Sequence, residues 1–430
     1  ENANFQYSIS CADGHELART NLQKVRSNGF SKALNDTKKY WQKWLSPALR
    51  VSKKLDLKYQ KSFIQSLMLV KSHLAKTGAP IASNDSEMLN YARDDYSYCW
   101  PRDALFAIWP LIRIGYRNEP QKFFEFCKRS LTSGGFMMHK YLPNGELGPS
   151  WHPYSQGGDT RNLPIQIDET AGILFLFAQY YKKFRENSIL NEFYDDLVKP
   201  TANFLVDFCG ENDLPKPNYE LWEMDFLSTT YSTSVVFAAL YSASKLAQAA
   251  NRVHDAKKWR EQALKIRSTA QNELFNEESN YFYRGIWADG NKDPKIDSSS
   301  FYGAFMFNLF EFKGEKLQTA FKTLENRFKA NDNIGLPRFE NDIYYRFSDD
   351  YEANIWPITT LWRAEFYIAL GEISKAEEII EWVLKQQTST GILPEQIDPC
   401  DLKHLSVAPL TWSQAEYVSA LLDLVAFEEE

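Results

Sequence analysis

The sequence predicts an all-α protein whose helices are arranged in two concentric rings. From residue 57 onward, apolar residues recur with helical spacing, and breaker residues divide them into about twelve segments. These segments alternate between two kinds, one amphipathic and the other apolar almost all round. A helix that is apolar on every side must be buried on every side, so the second kind predicts an inner ring. The amphipathic segments then form an outer ring that faces water.

Particular segments of the sequence predict the helices of each ring. Segments that are apolar nearly all round predict inner helices over residues 104–114, 173–184, 235–249, 301–312, 356–370 and 415–427. Segments with one charged face predict outer helices over residues 119–133, 254–274, 315–330 and 373–388. An open helical stack is the competing architecture, and it would need polar caps at both ends, which the sequence does not show.

The first fifty residues differ from the rest of the chain. Residues 5–11 alternate like a strand, and residues 17–45 predict a helix with Trp41 and Trp44 on one side. Because a lone strand is not stable by itself, it is either the last strand of a β domain or the partner of a hairpin at residues 281–283 or 343–345. The predicted division is an N-terminal strand and linker helix at residues 1–50, followed by the ringed domain at residues 51–430.

Composition excludes several classes of function. The chain has 430 residues, of which 44% are apolar and 24% are charged, enough to bury a large core. The net charge of -7 is spread along the chain without a basic block, and no apolar run approaches a membrane span. We therefore expect neither nucleic acid nor a membrane as a partner. The oligomeric state is not indicated.

The five cysteines are scattered and have no CxxC spacing, which argues against a disulfide framework or a zinc site. Unpaired cysteines and the lack of a signal peptide favour a cytoplasmic location. The compartment nevertheless stays undetermined, since the chain begins with Glu1 rather than Met, as a processed or partial product would.

A loop dense in polar and aromatic residues precedes each predicted inner helix. If the inner helices run parallel, all these loops meet at one end of the ring and line one pocket. Taken singly, Asp168, Asp225 and Asp349 are explained as helix N-caps. Helix capping does not require Trp, Tyr and Arg in every loop. The occurrence of these residues in all six loops therefore favours a functional site. The loops are residues 96–103, 163–169, 219–225, 297–300, 344–351 and 393–412.

Two of these loops each place one carboxylate beside bulky apolar neighbours. Glu223 follows Leu221 and Trp222, and Glu395 lies between Pro394 and Gln396. Apolar surroundings raise the pKa of a carboxyl group. A protonated and an ionised carboxyl are the equipment for acid/base cleavage of a glycosidic bond. The 15% aromatic content suits sugar stacking as well as core packing.

Five blocks of sequence, in order, resemble glycoside hydrolase family 15, the glucoamylase family. That resemblance implies an (α/α)6 barrel. Bacterial and archaeal members of the family carry a β-sandwich before the barrel, of which residues 5–11 would be a remnant. The blocks are residues 96–103; 151–153 with 163–170; 221–223; 345–351 with 356–357; and 394–396 with 410–413.

The resemblance implies an inverting, exo-acting hydrolase that releases β-D-glucose from an α-glucoside without a metal or cofactor. Glu223 would be the general acid and Glu395 the general base. Arg102 and Asp103 would hold hydroxyls of the terminal glucose, and Arg346 would contact the sugar on the leaving side. The implied substrate-binding residues are Tyr96, Trp100, Arg102, Asp103, Trp151, Gln166, Asp168, Trp222, Arg346, Asp350 and Trp412.

One position departs from the family pattern and leaves the linkage open. Many glucoamylases have a second acidic residue directly after the acid, where this chain has Met224. Glucodextranase and α,α-trehalase activity are therefore alternatives. A non-catalytic carbohydrate-binding or regulatory domain of the same fold is an alternative of a different class. The presence of both Glu223 and Glu395 argues against it, because a binding domain need not keep both.

Overall fold

The computed structural model describes residues 7–87, 95–149, 165–328 and 334–429. The chain folds as two compact units, Glu1–Lys54 and Leu55–Glu430. In the first unit, helix α1 (His15–Asn28) ends at Gly29 and helix α2 (Phe30–Ser52) follows at once. Residues 7–11, the described part of the predicted strand, form no strand. That prediction is therefore wrong for the described residues, where no neighbouring strand supplies a hydrogen-bonded ladder.

Six helices of the second unit form a closed inner ring. In chain order, each contacts the next, and the last contacts the first. Their residues are buried on nearly every side, as the apolar segments predict. These helices are α4 (Pro101–Ile114), α6 (Ile167–Phe184), α9 (Thr230–Ala249), α11 (Ser298–Met306), α13 (Pro357–Ala369) and α15 (Thr411–Glu429).

The outer ring packs around this inner ring. Its helices are α3 (Leu57–Ser72), α5 (Asn118–Ser130), α7 (Asn187–Phe193) with α8 (Lys199–Asp207), α10 (Val253–Glu273), α12 (Glu315–Phe328) and α14 (Ile373–Lys385). A π-helical turn, Tyr194–Val198, joins α7 to α8. Helix α3 packs on α15, α5 packs on α4 and α6, and α8 packs on α6 and α9. Helix α10 packs on α9, α12 packs on α11, and α14 packs on α13 and α15.

The fold is thus an (α/α)6 barrel, and the predicted fold class is confirmed. One inner helix is shorter than predicted, since α11 ends at Met306 rather than near residue 312. Asn308 has a φ of 55° just beyond that end. Asn adopts this left-handed conformation more readily than most residues, so it can end a helix inside an otherwise apolar run.

Aromatic stacking fills the middle of the inner ring. The rings of Tyr302 and Trp362 stack with centroids 4.0 Å apart, and those of Phe106 and Trp412 stack at 4.5 Å. Helices α9 and α11 approach closely at Gly303, where a Cβ atom would lie 3.0 Å from the Cα of Tyr231. The barrel therefore has a packed interior rather than a pore.

Short strands occur only in the loops of the described chain. Strands β1 (Asn218–Tyr219), β2 (Phe226–Thr229), β5 (Gly285–Ile286) and β6 (Lys292–Asp293) form one antiparallel sheet. Strand β3 (Phe275–Asn276) pairs with β4 (Tyr281–Phe282), and β7 (Gln396–Ile397) pairs with β8 (His404–Leu405). These pairings shape the loops that precede the inner helices.

Candidate active site

A cavity of about 300 Å³ lies at the end of the barrel where the inner helices begin. Glu223 and Glu395, 172 positions apart in sequence, both line it. Trp100, Trp356 and Trp412 enter it from the starts of α4, α13 and α15. The lining residues are Ala82, Tyr96, Trp100, Arg102, Asp103, Leu221, Trp222, Glu223, Met224, Arg338, Tyr344, Trp356, Glu395, Leu410 and Trp412.

The loop that carries Glu223 is built around the buried carboxylate of Glu220. One oxygen of Glu220 accepts a hydrogen bond from the backbone N–H of Trp222 at 2.6 Å. The other oxygen accepts from Met224 at 2.9 Å and from Asp225 at 3.3 Å. Glu223 itself has a φ of 64°, which is uncommon for a residue with a side chain. A strained residue of this kind persists when its surroundings hold it, and such residues cluster at functional sites.

Arg284 supports this loop from beneath, where its side chain is only 1% exposed. Its guanidinium lies 3.4 Å from Glu220, 2.6 Å from Asp225 and 3.3 Å from Asp297. Asp297 caps α11 and also accepts a hydrogen bond from the indole N–H of Trp222 at 3.1 Å. Helix α11 and the Glu223 loop are thereby joined through one buried cluster of charges.

Arg102, in the first turn of α4, stands among four carboxyl groups. Its nitrogens lie 3.1 Å from Glu223, 3.7 Å from both Asp168 and Glu169, and 4.0 Å from Asp103. Asp103, Asp168 and Glu169 are buried, and the single charge of Arg102 does not balance all of these carboxyls in their ionised forms. Arg102 is thus the shared partner of the acid candidate and of its neighbours.

Burial raises the pKa values of three carboxyls in this cluster. It raises the pKa of Asp103 to about 7, against the opposing effect of Arg102 and with a further rise from Glu223 and Glu395. Burial likewise raises the pKa of Asp168 to about 6 and the pKa of Glu169 well above its usual range. Asp103, the one of these three that lines the cavity, can therefore either donate to or accept from a sugar hydroxyl near neutral pH.

Glu395 is placed by the start of strand β7 on the other side of the cavity. Its backbone N–H donates to the carbonyl of Val407 at 2.9 Å, and its carboxylate accepts from Gln396 at 3.2 Å. The amide oxygen of Gln396 in turn accepts from Asn354 at 2.8 Å, which fixes the orientation of the amide. Burial raises the pKa of Glu395, whereas polar neighbours that include Gln396 and Arg338 oppose that rise.

Two tyrosines face Glu395. The hydroxyls of Tyr96 and Tyr344 are 2.8 Å apart, and burial raises the pKa of both well above the usual range. Both therefore stay neutral and can donate hydrogen bonds to a carboxylate, a water or a sugar oxygen.

Arg338 is a cavity residue that sequence reasoning missed. It makes two hydrogen bonds to the carboxylate of Asp342, at 2.7 and 2.8 Å. Its guanidinium carbon lies 4.7 Å from the ring centre of Trp356 and 4.9 Å from that of Tyr344. One nitrogen lies 3.5 Å from the sulfur of Met224. The available signal was an arginine inside the apolar run 336–339 with an aspartate four residues later.

Two predicted binding residues, Arg346 and Asp350, do not line this cavity. Arg346 donates to the carbonyl of Glu352 at 3.1 Å and to Asp349 at 2.9 Å. Asp350 is exposed and lines a separate depression. The chain turns away after Tyr344 because Tyr345 has a φ of 55°. Arg338 is the arginine that the structure places in the cavity instead.

Two further predicted residues, Gln166 and Asp168, lie behind the cavity lining. Gln166 is buried behind the cavity, where its amide oxygen lies 3.0 Å from His139 and its amide nitrogen donates to the carbonyl of Glu220. Asp168 also lies behind the cavity lining, beside Arg102. Trp151 lies outside the described residues.

Other features of the described residues bear on possible ligands. All five cysteines are unpaired; Cys99 and Cys127 are buried, whereas Cys11 and Cys400 are exposed. No group of three or more His, Cys, Asp or Glu side chains in the described ranges is arranged to hold a metal ion. Among the described helices, none combines the length and apolar character that crossing a membrane requires.

Comparison with known families agrees with this geometry. The model of glycosyl hydrolases family 15 matches residues 57–376, which is most of the barrel. The chain belongs to this family. This match agrees with the sequence blocks that resemble the family.

Among curated relatives of this family 15 hydrolase, an uncharacterised glycosyl hydrolase of Methanocaldococcus jannaschii is 25% identical over 430 residues. The match covers 94% of this chain and 63% of that relative. Trehalase 2 of Sulfolobus acidocaldarius is 22% identical, with 79% of this chain and 59% of the relative covered. The chain thus spans about three fifths of the length of these relatives.

Solved structures share the fold. A bacterial glucoamylase complexed with acarbose superposes with a TM-score of 0.75 at 20% identity, covering 96% of this chain and 61% of that one. A glycosidase variant in complex with glucose superposes with a TM-score of 0.69 at 17% identity, covering 87% and 99%. At these identities the likeness establishes the (α/α)6 architecture of the family 15 hydrolase.

Replacing Glu220 by Gln should misplace the acid loop. The amide keeps one acceptor oxygen and points its NH2 group at a backbone N–H, so we expect a stability loss of about 1–3 kcal/mol. We also expect kcat to fall about 10- to 100-fold, because small displacements of a catalytic group are costly. The matched control is Glu211→Gln, at an exposed loop position. Thermal unfolding and steady-state kinetics measure both effects, and an unchanged kcat would contradict the role of Glu220.

Replacing Asp103 by Asn should change how stability depends on pH. The folded-state pKa of Asp103 is raised to about 7, above about 3.9 in an unfolded chain. Its contribution to stability is therefore fully present below about pH 4 and is lost as pH rises towards about 7. We expect the Tm of Asp103→Asn to fall less over that range than the Tm of the wild-type protein. Equal slopes in scanning calorimetry would refute this assignment.

Proposed function

We propose that this protein is an inverting, exo-acting hydrolase that releases β-D-glucose from the nonreducing end of an α-glucoside. The observation that carries the proposal is that Glu223 and Glu395 line one cavity of about 300 Å³. Trp412 lines that cavity and stacks on Phe106 in the packed interior of the inner ring. A cavity that ends against a packed interior admits a chain end rather than the middle of a polysaccharide, which favours exo action.

In the proposed reaction Glu223 is the general acid. Its proton goes to the glycosidic oxygen as the bond from that oxygen to the anomeric carbon breaks. Glu223 contacts Arg102 at 3.1 Å. A sugar hydroxyl that accepts a hydrogen bond from Arg102 would draw that cation away from Glu223 and leave the carboxyl free to hold its proton.

Glu395 is the proposed general base. As a carboxylate it takes a proton from a water molecule, and the resulting hydroxide bonds to the anomeric carbon on the face opposite the leaving group. This geometry requires the two carboxyls to be about 6.5–9.5 Å apart, so that a water fits between them. Hydrogen bonding from Gln396 favours the ionised form that a base needs.

The proposed binding residues divide between the two sugars. Tyr96, Arg102 and Asp103 surround the terminal glucose, with Trp100, Trp222 and Trp412 supplying apolar surface. Arg338 and Met224 lie together at the cavity and would meet the leaving group. Met224 is 44% exposed and cannot accept a hydrogen bond as a carboxylate would, so the leaving side of the cavity is comparatively apolar.

A second candidate function is hydrolysis of α,α-trehalose. The relative from Sulfolobus acidocaldarius and one from Mycolicibacterium smegmatis are named trehalases, whereas one from Blastobotrys adeninivorans is named a glucoamylase. A cavity of about 300 Å³ suits a ligand of disaccharide size. Both functions use the same acid, the same base and the same terminal glucose, and they differ only in the leaving group.

Replacing either catalytic carboxylate by its amide should stop turnover without unfolding the protein. For Glu223→Gln and Glu395→Gln we expect kcat to fall at least about 100-fold, because each change removes a proton-transfer group. Glu211→Gln, at an exposed position, is the matched control and should keep wild-type activity. Initial rates are measured beside circular dichroism spectra. Full activity in either variant would remove that residue from the mechanism.

The stereochemistry and the leaving group are tested with one substrate panel. Maltose, maltoheptaose, isomaltose, dextran and trehalose are each incubated with the protein, and the released glucose is followed by proton NMR. Inversion predicts that the attacked glucose is released as the β-anomer before mutarotation, so maltoheptaose should give β-glucose first and trehalose should give equal amounts of the α- and β-anomers. The α-anomer as first product from maltoheptaose would refute the proposed geometry, and no glucose from any substrate would refute the proposed function.

A further inference from the structure

One buried histidine beside the cavity takes no part in the proposed reaction. His139 is only 2% exposed, and its ring packs edge-to-face against the cavity residue Trp100, with the ring centres 6.1 Å apart. Its Nδ1 lies 3.0 Å from the amide oxygen of Gln166, and its Nε2 lies 3.6 Å from Oε2 of Glu223. The imidazole therefore stands between a buried amide and the proposed general acid.

The hydrogen bonds of Gln166 determine which nitrogen of His139 carries the proton. The amide nitrogen of Gln166 donates to the carbonyl of Glu220 at 2.5 Å, so its amide oxygen is the atom that faces Nδ1. An amide oxygen can only accept a hydrogen bond, so Nδ1 of His139 is the donor. A neutral imidazole with its proton on Nδ1 has a lone pair on Nε2. The nitrogen that faces Glu223 is therefore an acceptor.

The surroundings of His139 disfavour a second proton on its ring. Burial lowers the pKa of the imidazole, and the positive charges of Arg102 and Lys140 lower it further. Glu223 and the hydrogen bond with Gln166 raise this pKa, but their effects are smaller than that of burial. Among the described residues, these charged groups reach the ring from α4, from the next position in the chain and from the acid loop. His139 is thus neutral at neutral pH.

The two carboxyl oxygens of Glu223 experience opposite influences. Oε1 accepts from Arg102 at 3.1 Å, which favours the ionised carboxylate. Oε2 faces Nε2 of His139 at 3.6 Å, which is longer than a hydrogen bond, as expected for two atoms that both present lone pairs. A proton on Oε2 converts this contact into an O–H···N hydrogen bond. His139 therefore favours the protonated form of Glu223, whereas Arg102 favours the ionised form.

We propose that His139, as the neutral tautomer with its proton on Nδ1, accepts a hydrogen bond from the carboxyl group of Glu223 and keeps this acid protonated before substrate binds. When a glycosidic oxygen enters the cavity, the O–H of Glu223 turns from Nε2 to that oxygen. The proton is then transferred as the glycosidic bond breaks. His139 neither gains nor loses a proton, so it is a positioning residue that acts through Glu223. This inference rests on the proposed function, because it concerns the acid of that reaction.

Two variants separate this role from simple support of Gln166. His139→Asn has an amide nitrogen near the position of Nδ1 and can still donate to Gln166, but it has no atom near the position of Nε2. His139→Gln reaches the position of Nε2 with an amide oxygen that can accept from Glu223, but it loses the donor to Gln166. If His139 only supported Gln166, the Asn variant would be the milder change. The proposal expects the opposite order in the pH dependence.

The alkaline limb of the kcat/KM profile reports ionisation of the acid in the free enzyme. For His139→Asn we expect its midpoint to fall by about 1 pH unit, because the protonated form of Glu223 loses its acceptor. Water in the vacated space can donate as well as accept, so it favours neither form. For His139→Gln we expect the midpoint to stay within about 0.3 pH units of the wild type, while the rate itself falls.

The matched control is His254→Asn on α10, where the side chain is 93% exposed. It should keep both the rate and the midpoint of the wild-type protein. An unshifted midpoint in His139→Asn, or equal shifts in His139→Asn and His139→Gln, would overturn the proposal.

Nitrogen NMR reads the tautomer without turnover. In protein labelled with nitrogen-15 at its six histidines, the signals of His139 are those that His139→Gln lacks. At about pH 7 we expect a protonated Nδ1 and an unprotonated Nε2. A proton on Nε2, in the other tautomer or in the imidazolium cation, would overturn the proposal. If the wild-type protein released no glucose from any substrate, the proposed function would fail while this test of His139 still stood.

Discussion

Hydrogen bonds to the carboxylate of Glu220 hold the loop that carries Glu223 at the cavity. The oxygens of this carboxylate accept hydrogen bonds from three backbone N–H groups of one loop, those of Trp222, Met224 and Asp225, and the backbone bends around Glu223 as a result. Arg284 holds Glu220 from below and ties it to the N-cap of α11. A residue with a left-handed backbone is costly to hold, and this buried cluster supplies the surroundings that hold it. The position of Glu223 is therefore set by hydrogen bonds to a neighbouring side chain rather than by a helix.

Glu395, on the other side of the cavity, is held by different contacts. Glu395 precedes a two-residue strand, and its carboxylate is steered by the amide of Gln396, which Asn354 orients in turn. Arg102 lies in the first turn of α4, so its position is fixed by the inner ring itself. Closure of that ring brings these independently supported groups to one cavity. It also explains why residues 172 positions apart can share a site without any local sequence signal linking them.

The sequence predicted the two rings well because burial imposes a period on each helix, and that period is visible in residue types. It failed where the deciding interaction leaves no such pattern. Residues 5–11 alternate like a strand, but periodicity says nothing about whether a partner strand exists. Arg346 was assigned to the site from the motif that contains it, whereas the structure places Arg338 in the cavity. The φ of 55° at Tyr345, just before Arg346, is invisible in the sequence. The role of Glu220 was missed because backbone N–H groups, its partners, occur at almost every position.

In this fold, the residues that stabilise the inner ring differ from the loop residues at the mouth of the cavity. Its helices satisfy their own backbone hydrogen bonds and bury one another, so their stability does not depend on what lies at the mouth of the cavity. Met224 is 44% exposed there, on a loop rather than in the ring. Residues at such positions can diverge during evolution without loss of fold, and loops on a rigid scaffold are where new specificities commonly arise. Loops at the mouth of this cavity can therefore change in sequence while the inner ring of the same fold stays intact.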